Sequence, residues 1–250
     1  MRRHHPPTDT AGPVPTASGG TRTRNPLVDR STRRLAIALV AAGALLLVAN
    51  LVHLPVNAPG EPYHPIFSDW HWNGDLDGSF IEIFGGLQLL LAVVALLITW
   101  RARGDAVYAV WALVLATAAA DDLLRGHERV RDLLMATVDL PVIPGLRPGD
   151  VGELVAWAIA VGILVPLLLL AHRRAGSAAR HDSRTLAVLM AVLALFAVVF
   201  DMLHIVVETS IPPLAATGLS LVETAGELFV MTAIAVVASG MALHSARRQP

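Results

Sequence analysis

The chain has 250 residues, a net charge of −1, 54% hydrophobic residues and only 16% charged ones. The apolar residues gather in long uninterrupted blocks, which is the signature of a membrane protein rather than of a soluble enzyme. There is no cysteine, which excludes disulfides, thiolate metal sites and thiol nucleophiles, and every one of the nineteen basic residues is arginine.

Residues 1–34 are rich in Pro, Thr, Gly and Arg and carry no apolar period, so the sequence predicts a disordered cytoplasmic tail there. The tail is too long and irregular for a secretory leader, and no small-x-small cleavage site follows the first apolar block. Residues 35–245 are predicted to form a six-helix transmembrane domain. The expected spans are Leu35–Leu54, Ser79–Trp100, Ala106–Leu124, Val151–Ala171, Thr185–Val207 and Leu219–Leu243, with Pro166 a candidate kink. Continuous rather than alternating blocks argue against a closed barrel. The fold class read from these blocks is an all-α polytopic transmembrane helix bundle.

Arginine placement sets the expected topology. With the N-terminus in the cytoplasm, fifteen of the nineteen arginines fall in inner segments. Only Arg125, Arg129, Arg131 and Arg147 remain outside, and six spans return the C-terminus to the cytoplasm. The outer stretch from Pro55 to Gly78 has no arginine and carries Glu61, Asp69, Asp75 and Asp77. Its Trp70 and Trp72 suit the interfacial aromatic belt, and its His64 and His71 are most simply read as loop residues without a metal.

The acids share one depth. Glu82 lies near the outer end of the second helix, Asp121 and Asp122 at the outer end of the third, and Glu153 at the outer end of the fourth. Asp201 and His204 close the fifth, followed by Glu208, and Glu223 and Glu227 open the sixth. The third helix has 15 uncharged residues before Asp121, about 22 Å at 1.5 Å per residue. A hydrocarbon core of about 30 Å therefore requires the helix to continue through the Asp pair. Asp201, His204 and Glu208 fall on one face, as do Glu223 and Glu227. Asp121 and Arg125 have the spacing of a salt bridge. Gly126 is expected to end the third helix and to free His127 and Glu128 to turn inward. Acids in a first turn, such as Glu82, Glu153 and Glu223, also suit the helix dipole; Asp121, Asp122 and Asp201 sit at C-terminal ends, where the dipole opposes them.

So many carboxylates at one depth call for something positive among them: a divalent metal, protons or a cationic substrate. Oxygen and imidazole donors without sulfur suit Zn, Fe or Mn. Asp201-x-x-His204 has the acid-x-x-His spacing of bundle-core metal sites, of which the chain has one where a two-metal site uses two. The candidate ligands are Glu82, Asp121, Asp122, His127, Glu128, Glu153, Asp201, His204, Glu223 and Glu227. A metal held there would activate water against a lipid-like, membrane-borne substrate, as in a hydrolase or oxidase. The rivals are an ion or proton transporter using the acids as a vestibule, and a structural subunit pairing them with another chain's arginines. No nucleotide, haem or nucleic-acid signal is present; the expected partner is the lipid bilayer, and oligomeric state is not legible.

Gly78-Ser79-x-x-Glu82, Asp121-Asp122-x-x-x-x-His127-Glu128, Gly152-Glu153, Asp201-x-x-His204 and Glu223-x-x-Gly226-Glu227 together resemble a family of uncharacterised bacterial multipass membrane proteins. That resemblance covers residues 75–243 and implies a shared site without a known reaction. A more distant likeness, in style only, is to membrane metal hydrolases of the alkaline ceramidase type. Those have seven helices and a late His-x-x-x-His pair, which this chain lacks.

Overall fold

The structure, a computed structural model, describes residues 29–56, 63–141, 143, 147–207 and 210–247. Among these residues there is no strand. Six helical segments are long and apolar enough to cross a membrane. They are α1 (Arg30–Val56), α2 (Phe80–Arg103), α3 (Ala106–Leu124), α5 (Pro148–Arg174), the composite span beginning with α6 (Ser177–Ala194), and α8 (Pro213–Ala246). The composite span passes from α6 through a π-helical segment, Leu195–Phe200, into α7 (Asp201–Val207). A short amphipathic helix, α4 (Gly126–Thr137), was not expected from the sequence.

The spans are those predicted, with longer ends. α1 begins at Arg30 inside the segment expected to be disordered; residues 1–28 and Glu208 lie outside the described residues. The α5 helix runs through Pro166 without a break. Capping explains several boundaries. Ser79 caps α2 by accepting from the Glu82 N–H. Gly104, at φ 78°, ends α2 by donating its N–H to the Trp100 carbonyl, a left-handed cap that glycine adopts without strain. Only Gly104 and Asp105 separate α2 from α3. Asp105 accepts from the Gly176 N–H at 3.1 Å, which fastens this turn to the α5–α6 turn.

The α2 and α8 helices form the centre of the bundle, with α3 on α2, and α1 and α6 on α8. Their core fills the half that holds the arginine-bearing turns. Leu89, Leu96, Val107, Tyr108, Trp111, Leu115, Leu186 and Ile234 are buried there. Ala92, Ala95, Ala112, Ala238 and Ala242 keep the helices close between them. Polar groups in this half are paired. Arg103 reaches Asp182 at 2.9 Å, the Tyr108 hydroxyl at 2.8 Å and Ser245 at 2.7 Å, joining α2, α3, α6 and α8. Trp111 Nε1 donates to Ser183 at 2.9 Å, and the same hydroxyl lies 2.9 Å from His172 Nδ1. The α5 helix is peripheral: 6% of its most apolar window is buried, against 56% for α8. It leans on α4 at its outer end and meets α3 and α6 besides, with the Asp105–Gly176 bond near its inner end.

Candidate functional site

At the opposite end the helices part around a cavity of about 1300 Å³. All ten sequence-predicted residues line it: Glu82, Asp121, Asp122, His127, Glu128, Glu153, Asp201, His204, Glu223 and Glu227. Asp75, Asp77, Asp132, Asp150, Arg131 and Arg147 join them at the rim. The deeper wall is apolar, with Leu89, Val114, Leu164, Leu168, Leu193 and Met231 around Trp111.

The ten residues divide into two sets. The first is paired. Glu82 accepts from the Gly78 N–H, just before the capping residue Ser79, and so fastens the entry to α2. Its first-turn position therefore has a structural use. Asp121 accepts from the His127 N–H at 2.6 Å, and its other oxygen lies 2.9 Å from His127 Nδ1. Arg131 of α4 reaches across to Glu153 of α5 at 2.6 Å. Gly152 permits that approach, since a Cβ there would stand 2.9 Å from the Arg131 side chain. Glu128 binds Arg125 at 2.7 Å, and Arg125 also holds Asp77 at 3.0 Å.

The break between α3 and α4 explains this arrangement and corrects one expectation. The residue in the left-handed region is Arg125, at φ 54° and ψ 50°, rather than Gly126. A side chain tolerates that conformation at some cost, and here the Arg125 guanidinium is fastened on both sides. Gly126 is needed for space: a Cβ there would sit 2.8 Å from Asp121 Oδ1, where that carboxylate receives the His127 N–H. The chain therefore turns, and His127 folds back as expected. The Asp121–Arg125 salt bridge that the spacing allowed gives way to Asp121–His127.

The rim is electrostatically coupled. The hydrogen bond to Asp121 raises the His127 pKa above its ordinary value, against the opposing effect of burial. Burial, then the neighbouring Glu128, raises the Asp77 carboxyl. Burial pushes Glu128 up, but its hydrogen bonding with Arg125 and Asp77 and the charges of Arg125 and Arg131 together outweigh it and leave Glu128 below the usual carboxylate range. His127 stacks against Trp157 at 6.5 Å between ring centres.

The second set lies deeper on the spans: Asp122, Asp201, His204, Glu223 and Glu227. No hydrogen bond or ion pair engages Asp122, Asp201 or Glu227 among the described residues. Asp122 has Glu82, Asp121 and His127 as electrostatic neighbours, and Glu227 has Glu223, Asp122, Asp201 and Glu82. Glu223 Oε2 is buried without a hydrogen-bond partner; His204 Nδ1, at 3.8 Å, is beyond hydrogen-bond reach. The π segment precedes Asp201 and His204 directly and sets their rotation about the span.

The expected convergence on a metal is not formed. Among the described residues no three His, Asp or Glu side chains come together in a group able to hold an ion. The reason is geometric: six helices, α2, α3, α4, α5, α7 and α8, bring these groups to the wall of one large space, and each faces that space instead of a common point. The nearest approach to the acid-x-x-His pattern is Asp201, His204 and Glu223.

Sequence reasoning missed Asp150, Arg131 and Trp157. Trp157 stands four residues after Glu153, on the same helical face, and that spacing was readable. Arg131 was counted as a loop charge because α4 was not foreseen. His64 and His71 serve the loop: His64 Nδ1 accepts from the Phe67 N–H at 3.2 Å, and His71 stacks on Trp70 and Phe80 beside Asp69.

Residues 32–242 match a domain of unknown function, DUF8692. The chain belongs to that family. The match spans nearly the whole bundle and the cavity, and agrees with the expectation of a family without an assigned activity. No curated protein and no solved structure matches the chain.

Proposed function

We propose that this member of the DUF8692 family is a multipass protein of the cell membrane with both termini in the cytoplasm, and that its cavity faces outward and binds a positively charged, lipid-like amphiphile. The cationic head would sit among Asp122, Asp201, Glu223 and Glu227, and the chain would lie against Leu89, Val114, Leu164 and Leu168. One observation carries this reading: a single continuous cavity has unpaired carboxylates in its upper part and apolar walls below. Unpaired carboxylates at membrane depth are costly and are kept for a counter-charge. The orientation rests on the arginines, which crowd the end opposite the cavity.

Trp111 and Trp157 line the cavity and supply the assay. Dodecyltrimethylammonium added to the protein in nanodiscs should give a saturable change in tryptophan fluorescence. Glu227→Gln and Asp122→Asn should each weaken the response at least tenfold. An equal response to dodecyl sulfate, or indifference to both substitutions, would overturn the reading.

A second reading is favoured by one contact, the approach of His204 to Glu223 beside Asp201. Drawn together by a movement of α7 toward α8, these three would take Zn, Fe or Mn, which would activate water toward a bound lipid-like substrate and make the protein a hydrolase or oxidase. Purified protein carrying no divalent metal, or metal retained in His204→Ala, would remove this reading and leave the first in place.

A further inference from the structure

We propose that the cavity is open sideways to the bilayer, between α5 and the π–α7 segment, and that its cationic amphiphile enters through this lateral portal from within the membrane. This rests on the ligand class proposed above and adds the route by which it arrives.

The first observation is a missing helix contact. Among the described residues no Cα of α5 comes within 8 Å of any Cα in the π segment or α7. The α5 helix meets α4 at its outer end, packs Leu164, Leu168 and Ala171 on the core further in, and is left without a neighbour on the flank that faces the π segment and α7. Both sides of this gap line the cavity: Val161 and Val165 from α5, and Ala197 and Val198 from the facing wall. Val161 and Val165 are 53% and 43% exposed although they line the cavity. A side chain that faces both an interior space and the outside marks an aperture.

The second observation is chemical. The residues of this aperture are apolar. Val161 lies thirteen residues into α5 from Pro148, about 20 Å along the axis, which is within the hydrocarbon layer. A passage to water at that depth would carry polar groups; this one suits an acyl chain. The acids begin above it, at Glu153 on one wall and Asp201 on the other. A cationic amphiphile lying in the bilayer with its head toward the surface has the same order of charge and hydrocarbon. It slides in without turning over, and its chain never leaves an apolar surrounding.

The third observation is the wall itself. The π segment leaves the ordinary helical register, and Phe196 packs so closely on Gly226 of α8 that a Cβ there would overlap the ring. Phe196 stacks in turn on Phe200 at 5.1 Å. This wall is therefore fixed to α8, and α5 forms the other side of the aperture.

Because the chain has no cysteine, the portal can be bridged selectively. Val161→Cys and Val198→Cys are introduced together and joined by a bifunctional thiol reagent long enough for the gap. Brominated octadecylamine is incorporated in phosphatidylcholine nanodiscs, and quenching of Trp111, identified by its loss in Trp111→Phe, reports a chain inside the cavity. The unbridged protein should be quenched, and bridging should reduce that quenching at least fivefold. Each cysteine alone, capped with a monofunctional reagent, should stay more strongly quenched than the bridged protein, which separates closure of the gap from added bulk at either wall. Quenching that survives the bridge would overturn the portal while leaving the ligand class standing. No quenching even in the unbridged protein, together with no response to dodecyltrimethylammonium, would remove both; with that response intact, only the membrane route falls.

Discussion

The two ends of the same helices are built to different rules. At the arginine-bearing end, alanines bring the helices together, and the polar groups of Arg103, Tyr108, Asp182, Ser183 and Ser245 find partners across four helices. At the acidic end the helices part, and Asp122, Asp201 and Glu227 face open space. A membrane bundle gains stability from close packing and satisfied polar groups. The acidic end gives up both. The contrast teaches that stability is concentrated in one half, which frees the other to hold unpaired charge.

That contrast can be broken by measurement. Asp182→Ala leaves Arg103 half-buried without its carboxylate; because both side chains keep some exposure, a loss of roughly 2–3 kcal/mol is expected, at the lower edge of the cost of orphaning a buried charge. Thermal unfolding in detergent would show it, and a loss below 0.5 kcal/mol, about what an exposed surface change costs, would deny that this end carries the stability. Gly226→Ala forces Phe196 away from α8, the tightest joint beside the cavity. Overpacking of this kind costs about 1–2 kcal/mol, and the same unfolding assay should record it. Glu227→Gln should go the other way, leaving stability unchanged or raising it by up to about 1 kcal/mol while ligand binding falls, as expected where function is kept at a cost in stability. A Glu227→Gln protein destabilised as much as Asp182→Ala would erase the distinction.

The smallest effect concerns pH. The native pKa of His127 is raised, first by its hydrogen bond to Asp121. Its contribution to stability is therefore complete below the unfolded value near about 6.5 and is lost as pH rises through the higher native value. His127 is partly exposed, so the amplitude should stay below about 1 kcal/mol. Unfolding temperatures measured from pH 5 to 9 should fall less steeply in both His127→Gln and Asp121→Asn, and unaltered slopes would show that the pair is not coupled to folding.

Much of the fold was legible because hydrophobic length is a strong signal: all six spans were placed, with errors mostly at their ends, where caps such as Gly104 act. Helix α4 was missed because its twelve residues are half polar, and a short amphipathic helix has no length signature. The site was legible as a layer, since helix spacing and depth put all ten residues around one space. Their division into paired and unpaired sets was not, because it depends on the turn at Arg125 and on Arg131 crossing from α4 to α5. Nor could the sequence show that the side chains face a cavity too wide for them to close on one ion. The π segment, which sets how Asp201 and His204 point, leaves no mark in a run of Leu, Phe, Ala and Val.

The corner at Arg125 has a consequence of its own. It ties three pieces of chain, the loop before α2, the end of α3 and the start of α4, by ion pairs that stand in solvent. Such pairs loosen as salt rises. The corner therefore works as a clasp that ionic strength can undo, and with it the seating of α4 over the mouth of the cavity. Arg125→Gly would remove the clasp and ease the backbone, whereas Arg125→Gln would remove the clasp alone, and the difference between the two separates the comfort of the turn from the fastening that the arginine provides.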